Sequence, residues 1–227
     1  MKAFKIFLTT FFNLVLFSLA NGVGILDLYY GPMRSCKSES VIIKAQAVQQ
    51  DGKKVLAVKP LKATRDGAKI VSHTNPPKEM DAVFLDDTQD GFEQAAIKLL
   101  DTIQREDIAV VVFDEFQFFP LKVIDFVFSL LAIDINVVVA ALNLNFLGQQ
   151  FETTFNLMER ALQELGDNFQ GYSLVAICQN CRREGRDGVF AQYSQRIVDG
   201  VPVTEGGVIG INDEYEPRCE RCFVRAS

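Results

Sequence analysis

From Gly24 onward, short apolar runs alternate with longer stretches whose apolar residues recur at helical spacing. Ile25 to Tyr30 predicts a strand closed by Gly31-Pro32, and Lys37 to Gln50 predicts a helix. Val55 to Val58 predicts a second buried strand. Between Gly91 and Arg105, Phe92, Ala95, Ala96, Leu99, Leu100 and Ile103 fall on one side of a helix. Ile108 to Phe113 is apolar without a break, the pattern of a parallel strand covered on both faces. A helix over Lys122 to Ala132, a strand over Val137 to Leu142 and a helix over Phe155 to Leu165 follow. Ser173 to Ile177 then leads into a cysteine. This order predicts an α/β fold with a mostly parallel sheet, flanking helices and right-handed crossovers. Beyond Cys181 the helical pattern stops, and Asp199-Gly200 between two β-prone runs predicts a hairpin.

Composition narrows the classes. The 227 residues suffice for one full core plus an appendage. A net charge of −6 argues against a protein that coats nucleic acid. The single histidine, His73, rules out a His-rich metal site. Residues 1–22 differ from the rest: Lys2 and Lys5 precede an apolar run ending in Ser18-Leu19-Ala20, the outline of a secretory signal peptide and too short for a stable membrane span. Polar residues dilute that run, so a plain hydrophobic extension competes with export. The expected organisation is an extension over 1–22, an α/β domain over 23–171 and a cysteine-bearing domain over 172–227.

Two C-x-x-C pairs, Cys178/Cys181 and Cys219/Cys222, stand 37 residues apart. Four thiolates from two tight turns fit a tetrahedral structural zinc best, and the metal would clip shut the loop from Arg182 to Arg218. Two disulfides or a redox-active C-x-x-C are the competing readings. Zinc thiolates also call for a reducing compartment, which favours the cytoplasm.

After the first strand, Gly31, Pro32, Met33, Arg34, Ser35, Cys36, Lys37 and Ser38 follow the spacing G-x-x-x-x-G-K-[ST] with one defect. Such a loop wraps backbone N–H groups round a phosphate, while its lysine neutralises charge and its hydroxyl reaches Mg²⁺. Cys36 occupies the second glycine; at a positive φ its side chain would cost roughly 1 kcal/mol or more. The strand Ile108 to Phe113 ends in Asp114-Glu115, whose carboxylates point to opposite faces. One suits a magnesium shell and the other a general base, so the order of motifs points to phosphoryl transfer.

These residues resemble the zinc-containing thymidine kinases over Gly24 to Cys222. The resemblance rests on Gly31 to Ser38, Val58-Lys59-Pro60 to Thr64-Arg65, Val71-Ser72-His73, Asp114-Glu115-Phe116-Gln117-Phe118-Phe119, Ala140-Ala141-Leu142 to Phe146, Ser194-Gln195-Arg196 and Tyr215-Glu216-Pro217-Arg218-Cys219. It implies a phosphate-loop α/β domain with a zinc-bearing lasso. ATP would be held by the loop, and Lys37 and Ser38 would meet its phosphates and magnesium. Asp114 and Gln117 would order the metal's waters, and Arg65 would stabilise phosphate charge. Glu115 would accept the proton of the thymidine 5′-hydroxyl. Met33, Phe118, Leu142, Phe146, Phe151 and Tyr215 would line the thymine pocket. A homotetramer is implied as well.

The sequence departs from that family's pattern at Cys36, at Ala63 and Asn143, where aspartates are expected, and at Arg34, where an aromatic is expected. Those departures leave a second expectation standing: a nucleotide-binding relative that has lost turnover.

Overall fold

The computed structural model describes residues 23–206 and 214–225. The signal-like segment therefore lies outside the described residues. Strand β1 (Leu26–Tyr30) passes through the loop 31–36 into helix α1 (Lys37–Gln50). Strand β2 (Lys54–Pro60), the short hairpin β3 (Lys69–Val71) and β4 (Glu79–Asp81), and strand β5 (Val83–Leu85) follow. Then come helix α2 (Phe92–Glu106), strand β6 (Ile108–Phe113), a 3₁₀ turn (Phe116–Phe118) and helix α3 (Lys122–Leu131). Strand β7 (Asn136–Ala141), helix α4 (Glu152–Glu164) and strand β8 (Phe169–Ser173) complete the layer.

Six strands form one sheet in the order β5-β2-β6-β7-β1-β8, and every pairing in it is parallel. Alternation then divides each central strand between two cores. Val111, Phe113, Val137, Val139, Leu26 and Leu28 face α2, α3 and α4. Val110, Val112, Val138, Ala140 and Ala57 face Val41, Ile42 and Ala45 of α1. Fully burying a side chain such as Phe113 or Leu28 stabilises the fold by about 1.5–3 kcal/mol, and both are wholly buried. Because the strands are parallel, their carboxyl ends share one edge, where ligands of open α/β sheets collect.

The predicted core elements are present, with informative shifts. Helix α4 starts at Glu152 rather than Phe155. Its extra turn is held by Thr153 Oγ1, which donates to Phe119 O at 2.9 Å, and Thr154 Oγ1, which donates to Leu142 O at 2.9 Å. Threonines that work by hydrogen bonds carry no apolar period. The run Ser173 to Ile177 is split: Ser173 ends β8 of the large sheet, and Ala176 begins a strand elsewhere.

Beyond Leu174 the sheets are small. Strand β9 (Ala176–Ile177) pairs with β10 (Phe190–Ala191), and helix α5 (Gln179–Arg183) lies between them in sequence. Strand β11 (Tyr193–Val198) is flanked by β12 (Val201–Pro202) and β13 (Glu214–Arg218), both antiparallel to it. The predicted hairpin is β11–β12, with Asp199 and Gly200 both at positive φ as a type I′ turn requires. Gln195, completely buried, pins this layer: its Nε2 donates to Val203 O at 3.1 Å and its Oε1 accepts Val224 N–H at 2.8 Å.

Candidate active site and metal cluster

The loop from Gly31 to Cys36 leaves the carboxyl end of β1 and opens helix α1. Gly31 is required by its surroundings: a Cβ there would lie 2.2 Å from Leu174 O. Ser35 Oγ donates to Pro32 O at 2.8 Å and ties the loop's middle to its start. Arg34 (φ 60) and Cys36 (φ 63) both sit in the left-handed region. The second glycine position of the motif thus does need the conformation that favours glycine, and a cysteine fills it with its side chain exposed. Lys37, half-buried, donates from Nζ to Pro32 O at 2.6 Å. Burial pulls its pKa down to about 8, against the opposing charges of Glu115 and Asp114.

The acidic pair stands where β6 ends. Asp114 is buried, and Ser38 Oγ donates to its Oδ1 at 3.3 Å, so helix α1 meets β6 at this carboxylate. Burial, and next the charge of Glu115, raise the Asp114 pKa to about 7; Lys59 and Lys37 oppose the shift. Glu115 adopts a left-handed backbone (φ 52) that turns the chain into the 3₁₀ turn. Its Oε2 accepts Gln117 Nε2–H at 2.5 Å, and Gln117 Oε1 accepts Leu142 N–H at 2.9 Å. Both ends of the Gln117 amide are engaged, linking the candidate base to the end of β7.

The predicted pocket residues fall into three contacts. Phe118 meets Phe151 edge-on at 6.0 Å between ring centroids. Leu142 is fixed through its backbone by Gln117 and Thr154. Phe146 is buried beneath the Arg196 guanidinium at 5.4 Å, and Arg196 lies opposite Tyr215 across β11 and β13. Met33 joins the C-terminal layer through its N–H, which Ser194 Oγ accepts at 2.9 Å. Arg65 is exposed on the loop after β2, and Phe119 belongs to the core.

Four residues at this edge received no role from the sequence. Lys59 is buried at the end of β2 and donates to Lys69 O at 2.8 Å. Lys62 pairs with Asp87 at 2.8 Å and lies 5.8 Å over the Phe118 ring. Gln179 accepts from Arg34 Nη1 at 2.9 Å, and Ser194 holds Met33. Lys59 and Ser194 stood within motifs that carry the resemblance, without a role; the contacts of Lys62 and Gln179 depend on which segments meet.

The four paired cysteines converge. Their sulfurs all lie within 4.8 Å of one another, with Cys181 Sγ 3.6 Å from Cys219 Sγ and 3.5 Å from Cys222 Sγ. Bonded disulfide sulfurs lie about 2.05 Å apart, so these are free thiols spaced to surround one metal ion. Asn180 Nδ2 donates to Cys222 Sγ at 3.5 Å, the kind of outer contact that orients a ligand.

A parallel α/β sheet, a phosphate-loop turn at one strand end and a buried acidic residue beside it define a phosphate-loop α/β protein, and its four clustered cysteines could hold a metal ion. The chain belongs to the thymidine kinase family, whose sequence model matches residues 24–223. A thymidine kinase of Pyrobaculum aerophilum is 32% identical over 198 residues, covering 86% of this chain and 95% of that protein. One of Thermococcus kodakarensis is 30% identical, covering 86% and 92%, and one of Mesoplasma florum 29% identical, covering 88% and 92%. Among solved structures, a large terminase from a thermophilic bacteriophage aligns at a TM-score of 0.42 with 9% identity, over 79% of this chain and 50% of that one.

Proposed function

We propose that this protein transfers the γ-phosphate of ATP to the 5′-hydroxyl of thymidine. The observation that carries the reading is the Glu115–Gln117–Leu142 link, which holds a carboxylate at the end of β6 and joins it to the predicted pocket wall. In this reading Glu115 accepts the proton of the 5′-hydroxyl as its oxygen attacks the γ-phosphorus. The bond from that phosphorus to the β–γ bridging oxygen breaks, and ADP leaves with the electron pair. Lys37 and the N–H groups of Arg34, Ser35 and Cys36 take the phosphates, and Arg65 adds positive charge.

Ser38 and Asp114 offer hard oxygen donors in contact with each other and would hold Mg²⁺ together with ATP once Asp114 has given up its proton. When bound, the ion neutralises charge on the transferring phosphate. Gln117 serves as a positioning residue for Glu115. Phe118, Phe151, Leu142, Phe146, Met33 and Tyr215 form the base pocket. Zinc is the metal of the four cysteines: tetrahedral Zn–S bonds of about 2.3 Å put sulfurs about 3.8 Å apart, close to the spacings found. Reduced thiols support a cytoplasmic setting. Exposed apolar side chains on α4, Phe155 and Leu162, support a homo-oligomer.

Cys36 favours one rival, binding without turnover, because a strained residue stands where the phosphates would lie. Transfer of labelled γ-phosphate from Mg-ATP to thymidine tests both. Glu115→Gln is expected to lower kcat by about 10²–10⁴-fold with the thymidine KM little changed. Turnover unaffected by that change would dismiss Glu115 as base. A parent that binds ATP and thymidine yet turns over only after Cys36→Gly would establish the rival.

A further inference from the structure

Two residues of the phosphate loop, Arg34 and Cys36, are non-glycine residues in the left-handed region. Such conformations cost roughly 1 kcal/mol or more each and persist only where the surroundings over-determine them. Within the loop and α1, Ser35 and Lys37 donate to Pro32 O, and Ser40 donates to Cys36 O through both its N–H and its Oγ at 2.9 Å. Further restraints, on Gly31, Met33 and Arg34, come from the cysteine-bearing region. Gly31 packs against Leu174 O, on the segment that runs into Cys178. Met33 N–H donates to Ser194 Oγ at 2.9 Å; Ser194 is buried and pairs across the sheet with Pro217, two residues before Cys219. Arg34 Nη1 donates to Gln179 Oε1 at 2.9 Å, and Gln179 directly follows Cys178. Three positions of one strained loop therefore rest on groups close to the cysteines: the Gln179 side chain beside Cys178, the Ser194 side chain on the strand that pairs with Pro217, and the Leu174 carbonyl on the connection from β8 to β9.

We propose that the metal knuckle is a positioning device for the phosphate loop: Gln179 and Ser194 hold Arg34 and Met33 so that the loop keeps its anion-binding shape. The inference rests on the reading of residues 31–38 as the ATP phosphate site. Arg34, which departs from the family's pattern, then owes its place to the knuckle partner it reaches. Each tether is a single hydrogen bond, small beside the packing of the fold. Their loss should appear in phosphate affinity and not in the fold.

The test is calorimetric binding of Mg-ATP and, separately, of thymidine to the full chain, with metal content measured on the same samples. Gln179→Ala is expected to raise the Mg-ATP Kd about threefold with the thymidine Kd within about twofold, and Gln179→Ala with Ser194→Ala to raise the Mg-ATP Kd about tenfold and the thymidine Kd by clearly less, with one metal per four cysteines retained in both. Stripping the metal from the parent should weaken Mg-ATP at least as much, and the double substitution should then add little, since both changes act through one link. Gln179 is partly exposed, so the single variant keeps the test alive should the double variant fold poorly. An unchanged Mg-ATP Kd in the metal-loaded variants overturns the inference and leaves the phosphate-loop reading intact. Equal weakening of ATP and thymidine overturns it too, by showing general loosening. A parent that binds thymidine but no Mg-ATP overturns the phosphate-loop reading, and this inference with it.

Discussion

The α/β body and the cysteine-bearing region are held by different physics. In the body, Leu26, Leu28, Val111, Phe113, Val137 and Val139 belong to a continuous buried core that reaches three helices. Around the knuckle, the buried cluster has five residues, Ala176, Cys178, Cys181, Ala191 and Cys219, three of them cysteines. The first region is stable through apolar area; the second has little of it, and its four thiols are spaced to hold an ion. A core of that small size supplies little by burial. The contrast teaches which perturbation each region should answer to, although their contacts meet at the phosphate loop.

Metal removal should separate them most. Structural zinc contributes about 10–16 kcal/mol in isolated finger peptides, so a chelator should expose the region after Ser173 to protease while the helical signal of the body persists. Equal protease resistance with and without metal would erase the distinction.

A second measurement concerns charge within the body. Asp114 keeps a proton up to about pH 7 in the folded protein, where an unfolded aspartate loses it near about 4. Stability from this group is therefore present at low pH and lost as pH rises towards 7. Lys37 has the opposite displacement in the other range: its charge leaves at about pH 8, and a phosphate beside it would restore the proton. Mg-ATP binding should release close to one proton near about pH 6 and take one up near about pH 9, read from calorimetry in buffers of different ionisation heat. Asp114→Asn should abolish the release alone. Proton exchange of one sign across that whole range would contradict this assignment.

The smallest effect is expected at Cys36. Replacing it with glycine removes a left-handed cost of about 1 kcal/mol, so the urea midpoint of the body should rise slightly and the knuckle's metal content should stay the same. A lowered midpoint would mean that the cysteine side chain makes compensating contacts.

The uneven legibility of the sequence follows the same division. Ile108 to Phe113 and Lys37 to Gln50 were readable to the residue, because uninterrupted apolar runs and helical spacing encode burial directly. The hairpin strands Lys69–Val71 and Glu79–Asp81 were not, since three residues carry no period. Exposed edge strand β8, Phe169 to Ser173, was equally silent. At the site, the motif spacing foretold Lys37, Ser38, Asp114 and the four cysteines as groups, and Ser38 does reach Asp114. It gave no sign that Gln117 would bridge Glu115 to Leu142, or that Ser194 and Gln179 would meet the loop. Hydrogen bonds between segments distant in the chain leave no local pattern, as with Met33 and Ser194, 161 positions apart.

The place of β1 in the sheet has a bearing on biosynthesis. Its two neighbours are β7 and β8, so its first possible partner begins at Asn136. While the chain emerges from the ribosome, the strand that carries the phosphate loop must wait for more than a hundred further residues before either of its edges is covered. Contacts so distant in sequence make folding slow, and uncovered strand edges invite association with other chains. The first strand of the sheet is thus among the last to be framed, and yield on expression should depend on how well its edges are shielded in the interval.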